Sequence, residues 1–86
     1  MRVACLTFWF YDYTIQMANE LARHTEVLLL LPDYRSEEYL ASIDPAVKVH
    51  LFGYSQCAGR FGPSCYPMLK DIVAAIDDFA PDVVHF

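Results

Sequence analysis

The chain is short of positive charge, short of glycine, and has no apolar run long enough to cross a membrane. Its 86 residues carry 6 Lys and Arg against 11 Asp and Glu, a formal net charge of −5. Neutralising phosphates takes clustered basic side chains, and these six are scattered, so nucleic acid is excluded as a main partner. A polybasic membrane patch is missing for the same reason, which leaves any contact with a membrane surface to apolar side chains. The longest apolar run, Val27 to Pro32, has the length of a strand rather than of a span. The amino terminus lacks the basic region, apolar core and cleavage site of a signal peptide, so a cytoplasmic location is the default expectation.

Glycine occurs three times, at Gly53, Gly59 and Gly62. None stands near the amino terminus, where a dinucleotide-binding domain needs a glycine-rich turn between its first strand and first helix. That place is taken by Phe8-Trp9-Phe10-Tyr11-Asp12-Tyr13. Rings there block close backbone approach to a pyrophosphate, and the carboxylate repels it. No phosphate-cradling Walker loop is present, and no acidic pair follows the first strand as a phosphoacceptor site requires. Cysteine is also sparse, with three residues. Cys5 reads as a small buried hydrophobe within a strand. Cys57 and Cys65 are too far apart for a C-x-x-C zinc pair and have no histidine at ligand spacing, so free thiols are the favoured reading, with a disulfide or metal pair as the minor alternative. Neither a metal nor a cofactor is expected.

What the chain does have is apolar and aromatic substance: 56% hydrophobic and 15% aromatic residues, enough for one small domain with its own core. The stretch from Val3 to Tyr13 organises it. Val3 to Phe8 reads as a strand apolar at nearly every position, which must be covered on both faces, as a central strand of a parallel sheet is. A helix is predicted over Tyr13 to His24, with Met17, Ala18, Leu21 and Ala22 as its apolar stripe and Asp12 as its cap. Thr25 to Leu31 is a second doubly apolar strand. Ser36 is expected to start a short helix that Asp44-Pro45 ends. Val47 to Phe52 alternates in the manner of an edge strand, with His50 facing solvent. Gly53 to Pro63 is a loop without periodicity. A last helix is expected from about Tyr66 to Phe79, with Leu69, Ile72, Val73, Ile76, Phe79 and Ala80 as its apolar positions. Asp82 to Phe86 forms a fourth strand.

The order β-α-β-α-β-α-β predicts an α/β fold: a Rossmann-like open parallel sheet with strand order 3-2-1-4. The fourth strand then has an unpaired apolar edge, which natural sheets seldom leave bare, so the domain reads as truncated after strand 4. Ligands of such sheets collect at the carboxyl ends of the central strands. Trp9, Tyr11, Asp12 and Tyr13 stand there as a candidate substrate wall. Rings take the C–H faces of a sugar, and a carboxylate takes its hydroxyls.

Four segments carry a family resemblance: Met1-Arg-Val-Ala-Cys-Leu-Thr7, Ala18-Asn-Glu-Leu-Ala-Arg-His24, Glu26-Val-Leu-Leu-Leu-Leu-Pro32 and Ala80-Pro-Asp-Val-Val-His-Phe86. In these the chain resembles the amino-terminal domain of family 4 glycosyltransferases, enzymes with two Rossmann-like domains facing each other across a cleft. The resemblance implies an acceptor-side domain of a retaining glycosyltransferase that uses a nucleotide-sugar and no catalytic metal. It implies a sugar or lipid-linked acceptor, and as partner a carboxyl-terminal donor domain bearing the E-x7-E signature, which this chain does not contain. It gives no catalytic residue here: the family's histidine near the reacting sugar belongs to a later strand, and His85 does not take that role. The aromatic first turn departs from the glycines and acid of many members, so no contacts are carried over there. The competing expectation, of another class, is a stand-alone α/β module that binds a ligand or partner and does no chemistry.

Overall fold

A computed structural model describes residues 1–8, 11–33, 38–53 and 69–86. Its elements are β1 (Arg2–Leu6), α1 (Tyr11–Leu21), β2 (Glu26–Pro32), a 3₁₀ turn at Leu40–Ser42, β3 (Lys48–Phe52), α2 (Leu69–Phe79) and β4 (Val83–His85). The four strands form one all-parallel sheet in the order β3-β2-β1-β4, the expected Rossmann-like arrangement. β1 aligns Val3 with Val27 and Val83, and Cys5 with Leu29 and His85.

The two inner strands are apolar on both faces because each face meets its own helix. Val3, Cys5, Val27, Leu29 and Leu31 pack with Ile15 and Ala18 of α1. Ala4, Leu6, Leu28 and Leu30 pack with Phe52 of β3 and with Ile72 and Phe79 of α2. Successive strand residues point to opposite faces, so every apolar residue of these strands finds a core. The Cys5 thiol lies fully buried and free, and burial pushes its pKa up.

Several boundaries differ from those the sequence predicts. β1 ends at Leu6 rather than Phe8. Thr7 still donates its N–H to the Leu30 carbonyl, at 3.3 Å. The next rung of a parallel ladder would need an N–H from Pro32, and proline has none to give. α1 starts at Tyr11, so Asp12 lies inside the first helical turn, where the positive pole of the dipole favours its charge, instead of capping the end. The short helix expected from Ser36 starts outside the described residues, and the segment before Asp44 forms the 3₁₀ turn. Asn19 of α1 holds that turn, donating to the Ser42 carbonyl at 2.9 Å and accepting from the Asp44 N–H at 2.8 Å. His50 is half-buried, its Nε2 3.0 Å from Asp71 Oδ2 in the first turn of α2, so it ties the edge strand to that helix. The loop expected from Gly53 to Pro63, the start of the last helix at Tyr66, and Cys57 and Cys65 fall almost wholly outside the described residues; Gly53 alone is described.

At the opposite end of the sheet Arg2 joins three elements. Its Nε meets Glu26 Oε2 of β2 at 2.7 Å, and its Nη1 donates to the Phe79 carbonyl closing α2 at 2.9 Å. Its guanidinium sits 5.7 Å from the Phe79 ring centroid. Its backbone N–H donates to Asp82 Oδ2, and its carbonyl accepts the Asp82 N–H, both at 2.8 Å, which docks the start of β4. Between Phe79 and that docking point, Ala80 takes a left-handed φ of 52° and bonds back to the Ile76 carbonyl, ending α2.

The apolar stripe of α2 is wider than its contact with the sheet. Ile72 and Phe79 are buried, whereas Leu69 and Val73 are exposed. Asp71, Ala74 and Asp78 lie on the flank toward β3, and at 100° per residue Leu69 and Val73 fall on the opposite flank, toward β4. β4 itself is exposed throughout, with Val83 at 44%, Val84 at 37% and the following Phe86 at 82%. Helices are about 10 Å wide and strands about 4.8 Å apart, so one helix covers roughly two strands of a face. The described helices number one per face, and β4 is the strand both leave bare.

Candidate functional site at the carboxyl ends of the strands

The mouth of the sheet is built by the residues that leave β1, β2 and β3: Thr7 and Phe8, Asp33, and Gly53. The Phe8 ring meets Phe52 edge-on, centroids 5.6 Å apart, and so roofs the core on the α2 side. Tyr11, the first residue of α1, is half-buried. Its hydroxyl donates to the Phe8 carbonyl at 3.1 Å, and its ring lies 4.9 Å from that of Tyr39. Tyr39 is buried and donates its hydroxyl to the Pro32 carbonyl. Two tyrosines thereby satisfy carbonyls released where β1 and β2 end, and they close the core on the α1 side.

The four residues expected to form a wall are not equivalent. Tyr11 is turned inward, onto Tyr39. Asp12 and Tyr13 are exposed, Tyr13 at 67%. Tyr11 and Tyr13 are two helical positions apart, about 200° around the axis, so they present to nearly opposite sides of α1. Trp9 lies outside the described residues.

Asp33, directly after β2, does not stand out in the sequence because it follows a proline at the edge of a loop. In the fold it is an exposed carboxylate at the centre of the mouth. Its N–H donates to the Phe52 carbonyl at 2.9 Å. The only signal that could have found it is its spacing, about twenty residues past the first turn, where nucleotide-binding sheets keep an acid for a ribose.

Two further concavities among the described residues run along α2 beside β3. One, of about 340 Å³, is lined by Arg2, Glu26, Lys48 and Asp78; the other, of about 270 Å³, by Lys48, His50, Asp71 and Asp78. Both are open clefts with charged residues in their lining, away from the carboxyl ends of the strands, and the first lies at their amino ends. Among the described residues no group of three or more His, Cys, Asp and Glu side chains is arranged to hold a metal ion, and no helix is long and apolar enough to cross a membrane. Compared with family models, curated proteins and solved structures, the chain matches none.

Proposed function

We propose that this chain is the acceptor-side domain of a retaining glycosyltransferase, which moves a sugar from a nucleotide-sugar to a glycan, lipid-linked or small-molecule acceptor in the cytoplasm. The observation that carries the reading is the turn after β1. A parallel sheet of order 3-2-1-4 offers its ligands the ends of its strands, and here the sequence of the first turn has rings and a carboxylate, Asp12 and Tyr13 among them exposed, where a nucleotide site would have glycine amides. The segments that resemble family 4 glycosyltransferases add to it. In this reading the nucleotide-sugar and the catalytic histidine belong to a partner domain, and the bare apolar strip of β4 with Leu69 and Val73 supports a partner on that side.

The 86-residue chain is therefore expected to bind glycosides, to show no affinity for nucleotide-sugars, and to hydrolyse none of them. Titration followed by NMR, together with a donor-hydrolysis assay, tests this. Turnover by the isolated chain, or tight nucleotide-sugar binding without glycoside binding, would overturn it.

A further inference from the structure

The geometry points to Asp33 as a diol-reading residue of the mouth, with a neutral sugar ring bearing two adjacent hydroxyls as its ligand. The inference rests on the function proposed above and narrows its substrate.

Asp33 is held from both sides. Pro32 before it has a fixed φ and a carbonyl engaged by Tyr39, and the Asp33 N–H is tied to Phe52 of β3. The backbone that carries the carboxylate is thus part of the sheet rather than of a free loop. The carboxylate itself is exposed, and among the described residues nothing donates to it or pairs with it. On its β3 side stands Gly53, whose added Cβ would lie 3.5 Å from Asp33 Oδ2, in ordinary van der Waals contact with it.

An exposed carboxylate on a fixed backbone at the ends of parallel strands suits one chemistry well. Its two oxygens accept the hydrogens of two neighbouring hydroxyls, and hydrogen bonds to a charged acceptor are among the stronger ones. Nucleotide-binding sheets use an acid at this place for the ribose diol, and pair it with glycine amides for the phosphates. Here the first half of that plan is present and the second is replaced. Phe8 and Tyr11 stand where the glycines would, and Asp12 puts a negative charge in the first turn of α1. A ligand with a diol and a phosphate would be attracted at one end and repelled at the other. A ligand with a diol and no charge meets no such conflict.

The test uses the whole 86-residue chain and three probes: a methyl hexopyranoside with a free 2,3-diol, its 2,3-dideoxy counterpart, and adenosine. Affinities are measured by NMR titration for the wild type, Asp33→Asn and Asp33→Ala, with thermal unfolding to establish that the variants fold. The wild type is expected to prefer the diol glycoside to the dideoxy one by about tenfold, and to prefer it to adenosine. Both variants are expected to lose the diol preference while binding the dideoxy glycoside unchanged. A diol preference that is absent in the wild type, or that survives in both variants, overturns the role of Asp33 and leaves the proposed function standing. Tighter, Asp33-dependent binding of adenosine overturns the sugar as ligand. A wild type that binds no glycoside overturns both readings together.

Discussion

Replacing Arg2 by alanine is expected to destabilise the fold far more than the loss of its ion pair suggests. The pair with Glu26 joins side chains that are 48% and 67% exposed, so water and salt screen it, and such pairs contribute under ~1 kcal/mol. The bond from Nη1 to the Phe79 carbonyl differs: it is partly buried and satisfies a carbonyl at the end of α2, worth about 1 kcal/mol. The guanidinium over the Phe79 ring adds roughly 0.5–1 kcal/mol and keeps water from a buried side chain. Arg2→Ala should therefore cost about 2 kcal/mol. In a domain of this size that lowers Tm by about 10 °C. Glu26→Gln removes only the screened pair and should lower Tm by no more than a few degrees, on the order of 0.5 kcal/mol. Thermal and urea unfolding followed by circular dichroism compare the two. Hydrogen exchange should report faster opening at the end of α2 in Arg2→Ala, where Nη1 holds the Phe79 carbonyl, and less change at Val83–His85, because Asp82 docks β4 on the backbone of residue 2, which alanine keeps. If Glu26→Gln costs as much as Arg2→Ala, the exposed ion pair dominates and the reasoning fails.

The same physics sets three other outcomes. Ala80→Gly should stabilise the chain by about 1 kcal/mol, raising Tm by several degrees, because a left-handed φ of 52° strains any residue with a Cβ; an unchanged or lower Tm would contradict this. Cys5 is buried with its pKa raised above the ordinary 9.0, so the folded state holds the thiol proton longer than the unfolded chain does. Its contribution is then full below pH 9.0 and is lost as pH rises through the folded value; urea unfolding at stepped alkaline pH should show stability falling, and Cys5→Ala should flatten the fall. Val84→Lys should reduce self-association of the isolated chain at high concentration, read by light scattering, with little change in Tm, since Val84 is 37% exposed on a bare strand; association that persists would place the sticky surface elsewhere.

The sheet is legible in the sequence because its signals are local and agree. Val27 to Leu31 is apolar enough to need cover twice, and two such strands separated by one helix leave little choice of order. Boundaries are less legible where a second element decides them. β1 stops at Leu6 through a proline on its neighbour, and His50, still partly in solvent, is paired by an aspartate on a helix twenty-one residues on. The spacing of Leu69, Ile72 and Val73 shows which residues share a stripe, and says nothing of which part of it meets a partner. At the mouth, the aromatic run singles out Tyr11 and Tyr13 together, yet the helix sends them to opposite sides. Asp33 has no pattern of its own, and only pairing with β3 gives it a fixed place.

Arg2 and Asp82 are eighty positions apart, yet each bonds the other's backbone. During synthesis β1 leaves the ribosome long before β4 does, and although it sits at the heart of the sheet its β4 side stays open until that strand emerges. At roughly 5–20 residues per second the interval lasts several seconds. Throughout it Val3, Ala4 and Cys5 present an unsatisfied strand edge inside a chain with a four-leucine strand beside it. The order of the sheet thus makes the ribosome's pace part of the fold's problem, and the nascent chain should be a chaperone client for as long as that edge is open.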